Sequence, residues 1–339
     1  MSRTLPQPYL LFLGDEHDPA HAKTAFGLRD WARESCIGEY ALPEATVTTG
    51  LPRFTPEEAH RSGARSMVIG VAPTGGALRS TWIPALEAAL EAGLDLISGM
   101  HGRLSDTQIL GTTAQRLGRQ LFDVRCPPAG IPVASGRPRT GRRLLTVGTD
   151  CALGKKYTAL SIARELRARG VQAEFRATGQ TGILIAGGGI PIDAVVADFV
   201  AGAAELLSPD AAADHWDIVE GQGSLFHPAY AGVSLGLLHG TQPDVIVVCH
   251  DPARREIAGH PGFAIPALEE VIAQNLVLGG RTNTRIRCAG VSLNTSKMSA
   301  ADAHACLSNH AARLQLPCAD PIRGGPALER LIDAVLDQA

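Results

Sequence analysis

Ten consecutive residues, Gly148 to Tyr157 (GTDCALGKKY), have the types and spacing of a phosphate-binding loop. An apolar run, Leu144 to Val147, leads into them, and a helical stretch from about Gly154 to Arg169 follows, with Gly170 as its stop. A loop between strand and helix aims several backbone N–H groups and the positive end of the helix dipole at one spot, which suits phosphate oxygens. In the usual G-x-x-x-x-G-K-[ST] pattern the lysine reaches the terminal phosphates and the Ser or Thr hydroxyl binds Mg²⁺. This loop departs from it twice. Thr149 occupies the first position, with Gly148 one residue earlier, and Lys156 stands where the hydroxyl belongs. Without that hydroxyl the usual magnesium ligand is missing, and two adjacent lysines favour phosphates that are held without metal and never cleaved. Coenzyme A is a cofactor of that kind. Gly148, Thr149, Asp150, Cys151, Ala152, Leu153, Gly154, Lys155, Lys156 and Tyr157 are the expected cofactor contacts, and no metal ligand is expected.

Other polar groups fall where strands should end. In Asp217 to His227 (DIVEGQGSLFH), Glu220 follows two apolar residues at the carboxyl end of an expected strand, where open α/β sheets place their chemistry. It is the first candidate for a general base, with Asp150 second; the competing role is to cap the next helix with Ser224. His227 could orient a substrate or titrate near neutral pH, or simply pack before Pro228. Arg176 to Gly189 (RATGQTGILIAGGG) is too rich in glycine for an ordinary connection, so backbone comes close to something there; Arg176 and Gln180 are its substrate candidates. The strand Asp244 to Cys249 runs into HDPARRE, where Arg254 offers a partner for a carboxylate or phosphate. Nearer the start, His101 and Arg103 in SGMHGR are further carboxylate candidates. Cys151, inside the loop, is placed where a helix amino terminus would lower a thiol pKa, so it either carries an acyl group or fills the loop.

These residues need a frame to hold them. A chain of 339 residues exceeds what one core usually spans, so two domains are expected. Short apolar runs (Leu10 to Leu13, Ser66 to Val71, Leu94 to Ile97) alternate with helix-like stretches such as Thr81 to Ala92, the pattern of a parallel sheet with crossover helices. The Pro-, Gly- and Arg-dense CPPAGIPVASGRPRTGRR marks a linker over 127–143, between a smaller Rossmann-like α/β domain (1–126) and a P-loop α/β domain (144–339) with a doubly wound, mostly parallel sheet. Its remaining strands are expected near Val171 to Ala177, Asp217 to Glu220, Asp244 to Cys249 and Cys288 to Leu293. Its helices are expected near Ala194 to Leu207, Ile265 to Leu278, Ala301 to Leu314 and Ala327 to Leu336. A net charge of −3 argues against a nucleic-acid partner. Seven scattered cysteines without a C-x-x-C pair indicate neither a disulfide framework nor zinc, and no apolar run approaches the roughly 18 residues of a membrane span. A cytoplasmic enzyme is expected, with a homodimer as its assembly.

At GTDCALGKKYTA, RATGQTG, DFVAGAAE, EGQGSLFHP, HDPAR and GVSLNTS the chain resembles, over both domains, a P-loop family long catalogued as of unknown function whose described activity is D-glutamate N-acetylation. The resemblance implies acetyl transfer from acetyl-CoA to the amine of D-glutamate, with a racemase acting on the product. The second domain is also similar to dethiobiotin synthetase, with its GTD-x-x-x-GK-T loop, which keeps an Mg-ATP-dependent ligase or kinase as the alternative activity. There a Thr follows the lysine; here Lys156 does.

Overall fold

The structure, a computed structural model, describes residues 4–72, 78–100 and 102–337. It divides into two compact units, Met1–Pro128 together with Gly179–Ala194, and Ala129–Thr178 together with Val195–Ala339. The first unit runs β1 (Tyr9–Gly14), α1 (Lys23–Trp31), β2 (Cys36–Ala41), α2 (Pro56–Arg61), β3 (Ser66–Ile69), α3 (Ile83–Glu91), β4 (Asp95–Ser98), α4 (Gln108–Leu117) and β5 (Leu121–Asp123). Its sheet has the order β2-β1-β3-β4-β5 with parallel pairings throughout. All six residues of β1 are buried, as an unbroken apolar run must be when helices cover both faces of a parallel sheet.

The second unit begins with β6 (Arg142–Gly148), α5 (Lys155–Ala168) and β7 (Ala173–Arg176). The chain next forms α6 (Gln180–Ala186), which belongs to the first unit: Gln180 Oε1 stands against Gly99, Thr181 meets Thr24 at 3.2 Å, and the Tyr9 hydroxyl donates to the Leu184 carbonyl. It returns as α7 (Val200–Leu207), β8 (Trp216–Val219), α8 (Ala231–Thr241), β9 (Val245–His250), α9 (Leu268–Gly279), β10 (Arg287–Leu293), α10 (Ala300–Leu314), β11 (Cys318–Ala319) and α11 (Pro326–Leu336). This sheet, also parallel, has the order β11-β10-β9-β6-β8-β7. The strand before the phosphate loop is therefore central, and the carboxyl ends of β8 and β9 flank the loop, the position where doubly wound sheets bind ligands.

Two expectations change at the level of elements. The glycine-rich run after Arg176 contains a helix, α6, with Gly187 in the left-handed conformation at its end. The helix expected from Ala194 begins only at Val200; two short 3₁₀ turns precede it, and Asp198 sits in the second of them, exposed to solvent. Among the described residues no helix is long and apolar enough to cross a membrane.

Candidate active site

The phosphate loop owes its shape to two residues with positive φ. Ala152 lies at 53°, a strained conformation for a residue with a Cβ, and Gly154 lies at 111° at the N-cap of α5. Beyond Gly154 the first-turn amides of α5 have no intrahelical acceptor, so they face the loop. Leu153 is buried and fills the underside of the loop, near Gly148. Gly221, just after β8, packs so closely on β6 that a Cβ would stand 1.6 Å from the Thr146 carbonyl oxygen; its own amide donates to Thr146 Oγ1. That contact sets the carboxyl end of β8 beside the loop.

Asp150 is fully buried and fully engaged. Its Oδ2 accepts from Arg254 Nη1 at 2.6 Å and from the Ala258 amide at 2.8 Å; Oδ1 accepts from the Cys151 amide at 2.6 Å. Burial alone would raise its pKa, but these donors outweigh it and hold the carboxyl below its ordinary value. A carboxylate so satisfied is a poor proton acceptor, so the structure turns Asp150 from second-choice base into an anchor of the loop. His227 supports it. The imidazole Nδ1 accepts the Ala229 amide at 3.1 Å, so the ring proton belongs on Nε2, which faces Asp150 Oδ1 at 3.8 Å. Burial pushes His227 below its ordinary value despite that nearby charge. Its geometry is that of a positioning residue.

Glu220 is buried at the carboxyl end of β8, where the Thr178 amide donates to Oε2 at 3.0 Å and the Thr178 hydroxyl donates to the Glu220 carbonyl. Thr178 was not singled out by sequence, although it stands in the same Thr-Gly-Gln segment as Gln180. Both loop lysines feel Glu220. Burial pulls Lys155 and Lys156 below their ordinary values, and the Glu220 charge opposes the shift in each. Lys155 Nζ donates to the Asp150 carbonyl at 2.7 Å; Lys156 Nζ lies 4.8 Å from the centre of the Tyr157 ring. Lys155 is buried and Lys156 half-buried, and an anion would supply the stabilisation that burial removes. Burial raises the Cys151 pKa, with Lys155 opposing, so the thiol form is favoured. This reverses the effect expected from the helix terminus alone and argues against an acyl-cysteine.

Elsewhere the candidates separate. Arg176 binds Asp217 at 2.7 Å and Glu174 at 2.8 Å, which makes it a brace across β7 and β8 instead of a substrate ligand. Gln180 belongs to the first unit, at the start of α6. Arg103 is exposed in that unit, and His101 lies outside the described residues. His250, at the end of β9, bonds the loop through Thr149 Oγ1 at 3.1 Å. Asp150, Cys151 and His227 bring ligand atoms within 4.8 Å of one another, a spacing that could hold a metal ion, but the Arg254 guanidinium already neutralises Asp150.

Residues 132–331 match the family model described as Domain of unknown function (DUF1611_C) P-loop domain, and residues 38–127 match the DUF1611_N Rossmann-like domain. Two relatives named D-glutamate N-acetyltransferase align over nearly their whole length. One, from Tritonibacter scottomollicae, is 48% identical over 97% of this chain and 98% of its own; the other, from a Pseudoalteromonas species, is 44% identical over 94% and 96%. The crystal structure of a DUF1611 family protein from Anabaena variabilis superposes with a TM-score of 0.84 at 31% identity, covering 97% of this chain and 99% of that one.

Proposed function

The chain belongs to the DUF1611 family and is an acyltransferase, and from that premise we propose that it moves the acetyl group of acetyl-CoA to the amine of D-glutamate, within D-amino acid breakdown. The observation that carries the choice of donor is Lys156, a half-buried ammonium in the place of a magnesium-binding hydroxyl. The loop from Thr149 to Lys156 would hold the phosphates of coenzyme A. Glu220 takes a proton from the substrate ammonium, because only the free amine attacks a thioester. The nitrogen lone pair adds to the carbonyl carbon, and loop amides or a lysine stabilise the oxyanion. Collapse then breaks the carbon–sulfur bond, the thiolate takes the proton held by Glu220, and the second proton on the attacking nitrogen leaves to solvent. The products are N-acetyl-D-glutamate and free coenzyme A. Arg254, which uses only Nη1 on the loop, is the candidate for a substrate carboxylate.

Glu220→Gln keeps the shape and removes the base. Thiol release from acetyl-CoA with D-glutamate should fall about 100-fold or more in kcat, while calorimetric binding of coenzyme A stays within twofold of the parent. Unchanged turnover would remove Glu220 from the reaction, and lost binding would reassign it to the cofactor.

A further inference from the structure

We propose that a pocket beside the phosphate loop takes a phosphate monoester carried on the ribose of an adenosine, with Arg255 and Arg313 as its principal anion ligands. The pocket encloses about 500 Å³ and is lined from the carboxyl end of β9, the start of α9, and α10. Its lining combines the cationic side chains of Arg254, Arg255 and Arg313 with apolar Ile265 and Pro266. Guanidinium groups take phosphate oxygens in pairs, and the apolar residues suit the body of an attached nucleoside. Among the described residues no carboxylate pairs with Arg255. Arg313 meets Glu269 at 3.2 Å, but both side chains are half exposed, so that pair holds the guanidinium only weakly.

The pocket and the loop are coupled directly. His250, which lines the pocket, bonds Thr149 of the loop, and Arg254, which also lines it, bonds Asp150 of the loop. An anion in the pocket and a pyrophosphate in the loop therefore fit one ligand. Resting on the acetyl-CoA reading, the inference identifies that ligand's second anion as the ribose 3′-phosphate of coenzyme A. A small dicarboxylate is the competing occupant, but it would leave Ile265 and Pro266 without a partner.

The test compares acetyl-CoA with acetyl-3′-dephospho-CoA as donors for the full-length protein and for an Arg255→Gln, Arg313→Gln double variant. The parent should show a KM about tenfold or more higher for the dephospho donor, as loss of charged hydrogen bonds requires. The variant should raise the KM for acetyl-CoA to that same level and leave the KM values for the dephospho donor and for D-glutamate unchanged. Equal KM values for the two donors in the parent would overturn the assignment. So would a variant whose KM rises for D-glutamate instead, since the pocket would then belong to the dicarboxylate. If neither donor releases thiol, the acetyl-transfer reading fails separately, and calorimetry with coenzyme A and 3′-dephospho-coenzyme A decides the pocket: tighter parent binding of coenzyme A, lost in the variant, supports it, and equal or absent binding refutes it.

Discussion

Position 156 carries an ammonium where the usual loop has a hydroxyl, and that substitution was legible from one residue of sequence. Glu220 was legible as well, because a carboxylate after two apolar residues marks a strand end. The partners of the loop were not. Thr149 meets His250 across 101 positions, and Thr178 holds Glu220 across 42, and neither distance leaves a local trace. His250 also makes a prediction about pH. Burial, with His310 nearby, pushes it down to about 4 from an ordinary 6.5. Between those values the unfolded chain binds a proton that the folded chain refuses. The stability it contributes is therefore complete above about 6.5 and is lost as the pH falls toward 4, by up to about 3 kcal/mol. His250→Gln keeps a partner for Thr149 and removes the titration. Denaturant midpoints at pH 7 and pH 4.5 should lie closer together in the variant than in the parent; an unchanged gap would place the acid sensitivity elsewhere.

At the scale of elements, sequence periodicity located the strands before and after the loop but missed α8 entirely. Its sequence, AGVSLGLLHGT, carries three glycines, which argue against a helix on propensity alone. Packing explains two of them. A Cβ at Gly240 would stand 2.1 Å from the Ala201 carbonyl oxygen of α7, and one at Gly236 would stand 2.6 Å from Val200. The two helices approach so closely that only glycine fits, and the buried contact outweighs the lost propensity. Gly240→Ala should accordingly lower unfolding stability by about 1–3 kcal/mol. Gly232, in the same helix with nothing within 4 Å of its missing Cβ, is the internal control. Gly232→Ala should be neutral or raise stability by up to about 1 kcal/mol. Thermal unfolding of both variants settles the point, and equal losses would mean that helix propensity, not contact, governs this pair.

At the scale of the whole molecule, composition and the alternation of elements pointed to two α/β units, and the parallel sheets follow that pattern. The course of the chain between them could not be read. Gly179–Ala194 lies in the middle of the stretch expected as the second domain but packs in the first, where Leu184 and Ile192 are buried. The signal that segment did carry, an excess of glycine, reflects a helix with tight ends. The site itself is assembled from the carboxyl ends of three strands, β6, β8 and β9, which only the sheet order brings together. A chain with net charge −3 gathers Arg254, Arg255 and Arg313 near buried Lys155 and half-buried Lys156, the local positive charge that an anionic cofactor needs. The central claim is that these groups grip phosphates and leave them intact while an acetyl group moves. It is tested most directly by measuring free thiol from acetyl-CoA and D-glutamate with nucleotide and Mg²⁺ withheld, and with L-glutamate as comparison. The account predicts one thiol released for each N-acetylglutamate formed, faster with the D-isomer. Thiol release that requires ATP, or ADP formed from Mg-ATP with no thiol released, would contradict it.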